Sequence, residues 1–313
     1  MGVFAEHSRD AIAGAVVGWG RGLLVELEPT ALGIENSNFF VTTEDGDGEQ
    51  HALVLTILEQ PATATSLDLL DRLAAVGLPV PAPLRNLDGE RVGQVESAPA
   101  LLAPRLAGSH PDVAGTAHCR AIDDFLGRMH ATSARMKGPA HPRDAAWMDE
   151  RVRQSLPALG LADRERMIRA RDGLHAAAAR LDRLPQGLVH GDLFRDNALF
   201  DGEQLTGVID FHHAARAPLA FDLAVVAQDW CTDEAGHVDR ERLVALLDGY
   251  GRRRPLTQDE LVAWPLLLVL ATLRFWLARL ASPRKPPQEM AARLASALDR
   301  PCWLSEGDVR VVR

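Results

Sequence analysis

The chain has 313 residues, 47% of them apolar, which is enough to bury a sizeable core and to form two lobes. A formal net charge of −9 at pH 7 argues against nucleic acid as the main partner, because phosphate backbones are held by a basic face. Cys119, Cys231 and Cys302 are few, odd in number and widely spaced, which points to a reducing compartment and away from a disulfide framework or a zinc site.

The first residues show no basic region followed by an apolar stretch, so no signal peptide is expected, and Glu6 breaks the pattern for N-terminal acylation. The loop Gly18–Gly22 does not fit a dinucleotide-binding glycine pattern. Strands are expected at Leu23–Leu27, Phe39–Thr43 and Ala52–Ile57, the last two joined by the turn-rich Glu44–Glu49. A helix from about Thr65 to Val76 ends at Gly77, with Pro79 and Pro81 beyond it. The strand Ala100–Gly108 then leaves this lobe through a Pro/Gly connector. The expected division is residues 1–103 and residues 104–313.

Helical periodicity dominates afterwards, at about Thr116–Met136, Asp163–Leu184, 221–230, 239–250, 257–281 and 287–299. The basic run Arg252-Arg253-Arg254, followed by Pro255, is expected to be a solvated loop. The most apolar segment, Leu261–Leu273, is too short to span a bilayer and runs into Arg274, so no membrane partner and a cytoplasmic location are expected. A sheet-rich N-terminal lobe and a larger, mainly helical C-terminal lobe make a bilobal α+β fold.

Within the helical part, Leu188–His190 reads as a buried strand that delivers Asp192 into a loop, and Ala198–Phe200 and Leu205–Ile209 read as a hairpin turned at Asp201-Gly202. Asn197 and Asp210 flank that hairpin and are expected to meet at one mouth, beside the Asp192 loop. A carboxylate, a carboxamide and a second carboxylate in this order are what phosphoryl transfer from a nucleotide needs: one group for the attacking hydroxyl and two oxygen donors for magnesium, which also takes phosphate oxygens and water.

His190-Gly-Asp192-x4-Asn197, with Ile209-Asp210-Phe211 and Phe221-Asp222-Leu223-Ala224, resembles the signature of the aminoglycoside phosphotransferase and choline kinase superfamily, relatives of protein kinases. Gly33–Val41, Leu78–Pro81, Gln228–Cys231 and Leu273–Leu280 are similar to the homoserine kinase branch of it. The resemblance implies a protein-kinase-like fold, ATP and Mg2+, a nucleotide-binding N-terminal lobe, and homoserine as the acceptor in threonine biosynthesis. It also implies that Asp192 is the catalytic base, that Asn197 and Asp210 hold the metal, that His190 braces the loop, and that Asp222 caps a helix or ties the loop down.

Other positions leave more than one reading. Thr56 stands where kinases place a phosphate-binding lysine, although the homoserine kinase branch tends to carry threonine too. The Gly33–Asn38 turn, with Ser37 and Asn38, reads either as a phosphate cover or as a plain polar turn. Arg274, in an apolar helix, is either a ligand for the acceptor's carboxylate or half of a structural ion pair. Asp229, beside Trp230, either receives the acceptor's ammonium or is an exposed helix-end carboxylate. His212-His213 replace the aromatic residues usual in the family. The rival readings are another small acceptor (an amino alcohol or an aminoglycoside) and a nucleotide-binding module without turnover.

Overall fold

The β-branched and aromatic runs near the N-terminus form β2 (Ser37–Glu44) and β3 (Gln50–Ile57), flanked by β1 (Leu23–Pro29), β4 (Gly93–Val95) and β5 (Ala98–Pro104). They make one sheet in the order β1-β2-β3-β5-β4, with every neighbouring pair antiparallel. This is seen in a computed structural model that describes residues 7–30, 36–59, 62–281 and 288–299. The chain divides into two compact units: Met1–Gly108 with Thr206–His212, and Ser109–Leu205 with His213–Arg313.

In the first unit, alternation along β3 puts Leu53, Leu55 and Ile57 on one buried face, where they join Val41, Val95 and Leu102. Helix α1 (Arg9–Val17), capped by Ser8, lays Ile12 and Val16 onto that face. It is absent from the sequence reading because its Ala/Gly/Val-rich run shows little contrast between faces. Helix α2 (Ala64–Ala75) begins at the Thr63 cap and matches its expected span closely. Between β2 and β3, Asp45 Oδ1 accepts from the amides of Asp47 and Glu49, which closes the hairpin.

The second unit is mainly helical: α3 (Thr116–Ser133), α4 (Ala145–Ser155), α5 (Leu161–Leu181), α6 (Ala220–Trp230), α7 (Arg240–Arg253), α8 (Gln258–Leu280) and α9 (Gln288–Asp299). Together the two units are the expected α+β organisation. Every residue of α6 is buried, and α8 packs against α5, α6 and α9. At 23 residues α8 is longer than its apolar run and apolar enough to cross a membrane by length and composition, but most of it is buried inside the protein as a core helix. Helix α4 escaped the sequence reading because only Met148 and Val152 of its charged surface are buried. The Arg252–Arg254 run is not a loop. Arg252 and Arg253 form the last turn of α7, where cations suit the helix dipole, and Arg254 pairs with Glu260 at 2.8 Å.

Two small sheets carry the connecting loops. Strand β6 (Gln186–Val189) pairs antiparallel with β9 (Ala215–Pro218), and β7 (Ala198–Asp201) pairs with β8 (Gln204–Val208) across a turn at Gly202-Glu203. The sequence Ala-Arg-Ala-Pro of β9 has no β-branched residue, so nothing in it announces a strand.

Asp123 on α3 is fully buried, and neither carboxylate oxygen has a hydrogen-bond partner. It faces α7 where Gly249 leaves room: a Cβ there would lie 2.3 Å from Asp123 Oδ2. Burial pushes its carboxyl up to about 9, so the fold favours the protonated acid. The raised value means that its favourable contribution is complete below the unfolded pKa of about 4 and is lost as pH rises towards 9. Asp123→Asn is expected to raise the urea midpoint at pH 8 and to flatten the fall in stability between pH 5 and pH 9, as measured by denaturation at a series of pH values.

Candidate active site

β6 ends at Val189 and releases His190, Gly191 and Asp192 into a tight loop. Gly191 has φ of 80°, and a Cβ on it would sit 3.0 Å from the His213 carbonyl oxygen and 3.2 Å from His141 Nε2. Glycine is therefore required both by backbone handedness and by space. The Asp192 amide donates to His190 Nδ1 at 3.3 Å, and the buried His190 thus braces the turn. The Phe194 amide donates to Asp192 O at 2.9 Å, and a 3-10 turn, Arg195–Asn197, returns the chain. Asn197 Nδ2 then donates to Asp192 O at 2.7 Å and, at a longer 3.4 Å, to Asp192 Oδ2. The carboxylate and the carboxamide are thereby brought side by side.

Asp222, near the start of α6, holds this loop from beneath. Its Oδ2 accepts from the His190 amide at 2.7 Å and its Oδ1 from the Gly191 amide at 2.8 Å. His130 Nε2 donates to the same Oδ2 at 2.9 Å, while His130 Nδ1 lies 2.8 Å from Tyr250 Oη, which accepts from Arg254 Nη1 at 3.0 Å. Burial alone would raise the Asp222 carboxyl, but the hydrogen bond and charge of His130, with His190 and the Gly191 amide, hold it below the usual carboxylate range. The result is a buried polar chain from α7 through α3 to the loop. His130, in the middle of an apolar helix face, has no sequence feature that separates it from an ordinary core histidine.

Asp229 is buried near the end of α6, not exposed. It accepts from the Arg195 amide at 2.8 Å and pairs with Arg195 Nε at 3.2 Å and with Arg293 Nη1 at 3.5 Å. Trp230 is fully buried and donates from Nε1 to Leu193 O at 3.2 Å. Both side chains hold the Leu193–Arg195 segment that carries Asn197. Arg274 on α8 is 9% exposed, lies over the Phe221 ring at 4.8 Å, and has no hydrogen-bond partner at Nε or Nη1. It is half of no ion pair among the described residues.

The remaining candidates lie in the first unit. Asn38 and Thr56 face each other in the β2–β3 register, and Thr56 Oγ1 donates to Asn38 Oδ1 at 2.7 Å. Ser37 is buried, and Gly33 lies outside the described residues. Asp210 is exposed, follows β8, and has φ of 64°, a left-handed conformation uncommon outside glycine and tolerated best by Asn and Asp. Asn36 Oδ1 accepts from the Glu59 amide at 3.1 Å, and Asn36 Nδ2 meets His212 Nε2 at 2.9 Å. The turn after Asp210 is therefore tied to the residues that precede β2.

Among the described residues no group of three or more His, Cys, Asp or Glu side chains is arranged to hold a metal. Asn197, whose amide nitrogen is engaged by Asp192, keeps a carboxamide oxygen, and Asp210 in the other unit carries a carboxylate; each is a hard oxygen donor. Donors of this chemistry suit Mg2+, which takes few protein oxygens and completes its shell with phosphate oxygens and water.

The model of the Phosphotransferase enzyme family (APH) matches residues 26–256. The chain belongs to this family. Homoserine kinase of Pseudomonas aeruginosa is 39% identical to the phosphotransferase over 284 residues, covering 90% of this chain and 88% of that protein. Homoserine kinase of Methylobacillus flagellatus is 38% identical over 284 residues, covering 90% and 87%. Among solved structures, a microcompartment-associated aminopropanol kinase superposes with a TM-score of 0.70 at 21% identity, covering 93% of this chain and 94% of that one. Choline kinase from Cryptosporidium parvum gives a TM-score of 0.63 at 12% identity, covering 96% and 98%. These structural likenesses concern the fold, and the phosphotransferase is a kinase of that fold.

Because Asp222 is buried and paired, Asp222→Ala leaves His130 and two loop amides without their acceptor. The expected loss is about 3–5 kcal/mol of stability, read from urea unfolding at pH 7. Asp222's lowered folded pKa makes its contribution present above the unfolded value of about 4 and lost as pH falls through the folded value. The parent's extra stability over the variant is therefore expected to shrink in acid.

Proposed function

We propose that this phosphotransferase moves the terminal phosphoryl group of ATP to the side-chain hydroxyl of homoserine, in threonine biosynthesis. One observation carries the reading: Asp192 and Asn197 are clasped at the end of a rigidly braced loop, in a chain 39% identical to a homoserine kinase over nearly its whole length.

In this reading Asp192 receives the hydroxyl proton as the acceptor oxygen bonds to phosphorus and the bond from phosphorus to the bridging oxygen of ADP breaks. The protein contributes positioning and electrostatics more than covalent chemistry. Asn197, through its carboxamide oxygen, and Asp210 would hold Mg2+, which when bound neutralises charge on the nucleotide phosphates. Ser37, Asn38 and Thr56 are assigned to the nucleotide side, within an N-terminal nucleotide-binding lobe of residues 1–103. Residues 104–313 are assigned to catalysis and the acceptor. Asp229 and Trp230 are assigned to the acceptor side, and they also fix the Leu193–Arg195 segment of the loop. The free, buried Cys119 and Cys231 suit a reducing, cytoplasmic setting.

Removing a preorganised electrostatic contact costs about a hundred- to a thousandfold in rate. Asp192→Asn and Asp210→Asn are each expected to lose turnover on that scale while keeping the parent's circular dichroism spectrum and melting temperature. Near-parental turnover in either variant would contradict its assigned role. The fold likeness to an aminopropanol kinase motivates a second reading, a small amino alcohol as acceptor. A panel of hydroxyl acceptors, followed by ADP release, separates the two: the parent is expected to favour homoserine over amino alcohols and aminoglycosides.

A further inference from the structure

Next to the Asp192 loop, the second unit contains a group of hydrogen-bond donors with nothing to donate to. Arg274 is nine-tenths buried in the core helix α8, with Nε and Nη1 unpartnered. His141 is 5% exposed, and its Nδ1 accepts from the Arg143 amide at 3.1 Å. That bond places the ring proton on Nε2, which is also unpartnered. Arg143 brings a second guanidinium, with Nη2 3.4 Å from His213 Nε2 and its centre 5.8 Å from each of the Phe275 and Trp147 rings. Burial and the neighbouring Arg143 draw Arg274 down only to about 10, so it stays charged near neutrality. Among the described residues the carboxylate acting on it, Asp144, is already engaged as the N-cap of α4 through the Trp147 amide at 2.9 Å.

An uncompensated charge and three idle donors in an apolar setting are costly unless a ligand supplies the acceptor. We propose that Arg274, Arg143 and His141 form the subsite that takes the α-carboxylate of the acceptor, an inference that rests on the homoserine reading above. Position supports this choice of anion. His141 Nε2 is 3.2 Å from where a Cβ on Gly191 would lie, and Gly191 immediately precedes Asp192. The three carbons between the hydroxyl and the carboxylate of homoserine span roughly one to two residues of extended chain. A planar guanidinium matches the two oxygens of a carboxylate, and the Phe221 face beneath Arg274 keeps water away from the pair.

The test compares L-homoserine with 3-aminopropan-1-ol, the same chain without its carboxylate, in the parent and in Arg274→Met and Arg143→Gln. For Arg274→Met the ratio of kcat/KM values, homoserine over the amino alcohol, is expected to fall about a hundredfold, with the loss in the homoserine KM. Arg143→Gln is expected to move the ratio the same way by a smaller factor, and serves alone if the first variant does not fold. The Arg274→Met melting temperature is expected to equal or exceed the parent's, because an unpaired buried charge has been removed. An unchanged ratio overturns the subsite. So does an equal loss on both acceptors with a lowered melting temperature, which marks a structural arginine, or a matching rise in the KM for ATP, which assigns the donors to the nucleotide. A parent enzyme that phosphorylates the amino alcohol and not homoserine overturns the functional reading itself, before any variant is made.

Discussion

The Asp222 carboxylate is the interaction on which the Asp192 loop depends. Two consecutive amides, of His190 and Gly191, point into the protein at the one place where the chain leaves β6, and buried amides need acceptors. A carboxylate buried to provide them needs its own cation or donor, and His130 is that partner. Each requirement generates the next, until the chain ends at Arg254, just past α7, and Glu260 on α8. A loop whose backbone is held on its inner side keeps the half-buried Asp192 in a fixed frame, the kind of preorganisation that the proposed phosphoryl transfer would use.

The loop is held from its other end by a second carboxylate. Asp229, about two turns further along the same helix, accepts the Arg195 amide and pairs with Arg195 and Arg293. Helix α6 therefore carries both anchors. Its burial on all sides gives those anchors a fixed frame, because a close-packed element has little freedom to move. The sequence Phe-Asp-Leu-Ala-Val-Val-Ala-Gln-Asp-Trp is hydrophobic except at Asp222 and Asp229, which grip the loop, and at Gln228, which donates to Leu268 O on α8.

Much of this was legible in the chain. The hairpin signals at Glu44–Glu49 and Asp201-Gly202, the Gly77 stop and the long periodic helices all rest on local chemistry, and they recur at nearly the expected residues. The spacing of Asp192 and Asn197 was legible too, because a loop and a 3-10 turn fix it locally. What escaped depends on tertiary context. Helix α1 and strand β9 exist because of the surfaces they cover or pair with, and their own residues express weak preferences. His130, His141 and Arg143 are single polar residues far in sequence from Asp192. Their roles come from which groups surround them, and only coordinates supply that. Arg274 sat between legible and hidden: the chain shows a charge in an apolar helix, but not whether a carboxylate waits opposite it.

The backbone at Asp210 constrains the phosphotransferase in a further way. Its left-handed torsion admits few residue types besides Gly, Asn and Asp, while the oxygen donor that the proposed metal role requires would remove glycine from the set. Two unrelated filters, one conformational and one chemical, thus leave an alphabet of about two letters. Because the amide is itself expected to cost turnover, the aspartate is expected to stay fixed at this position, however far the surrounding turn diverges.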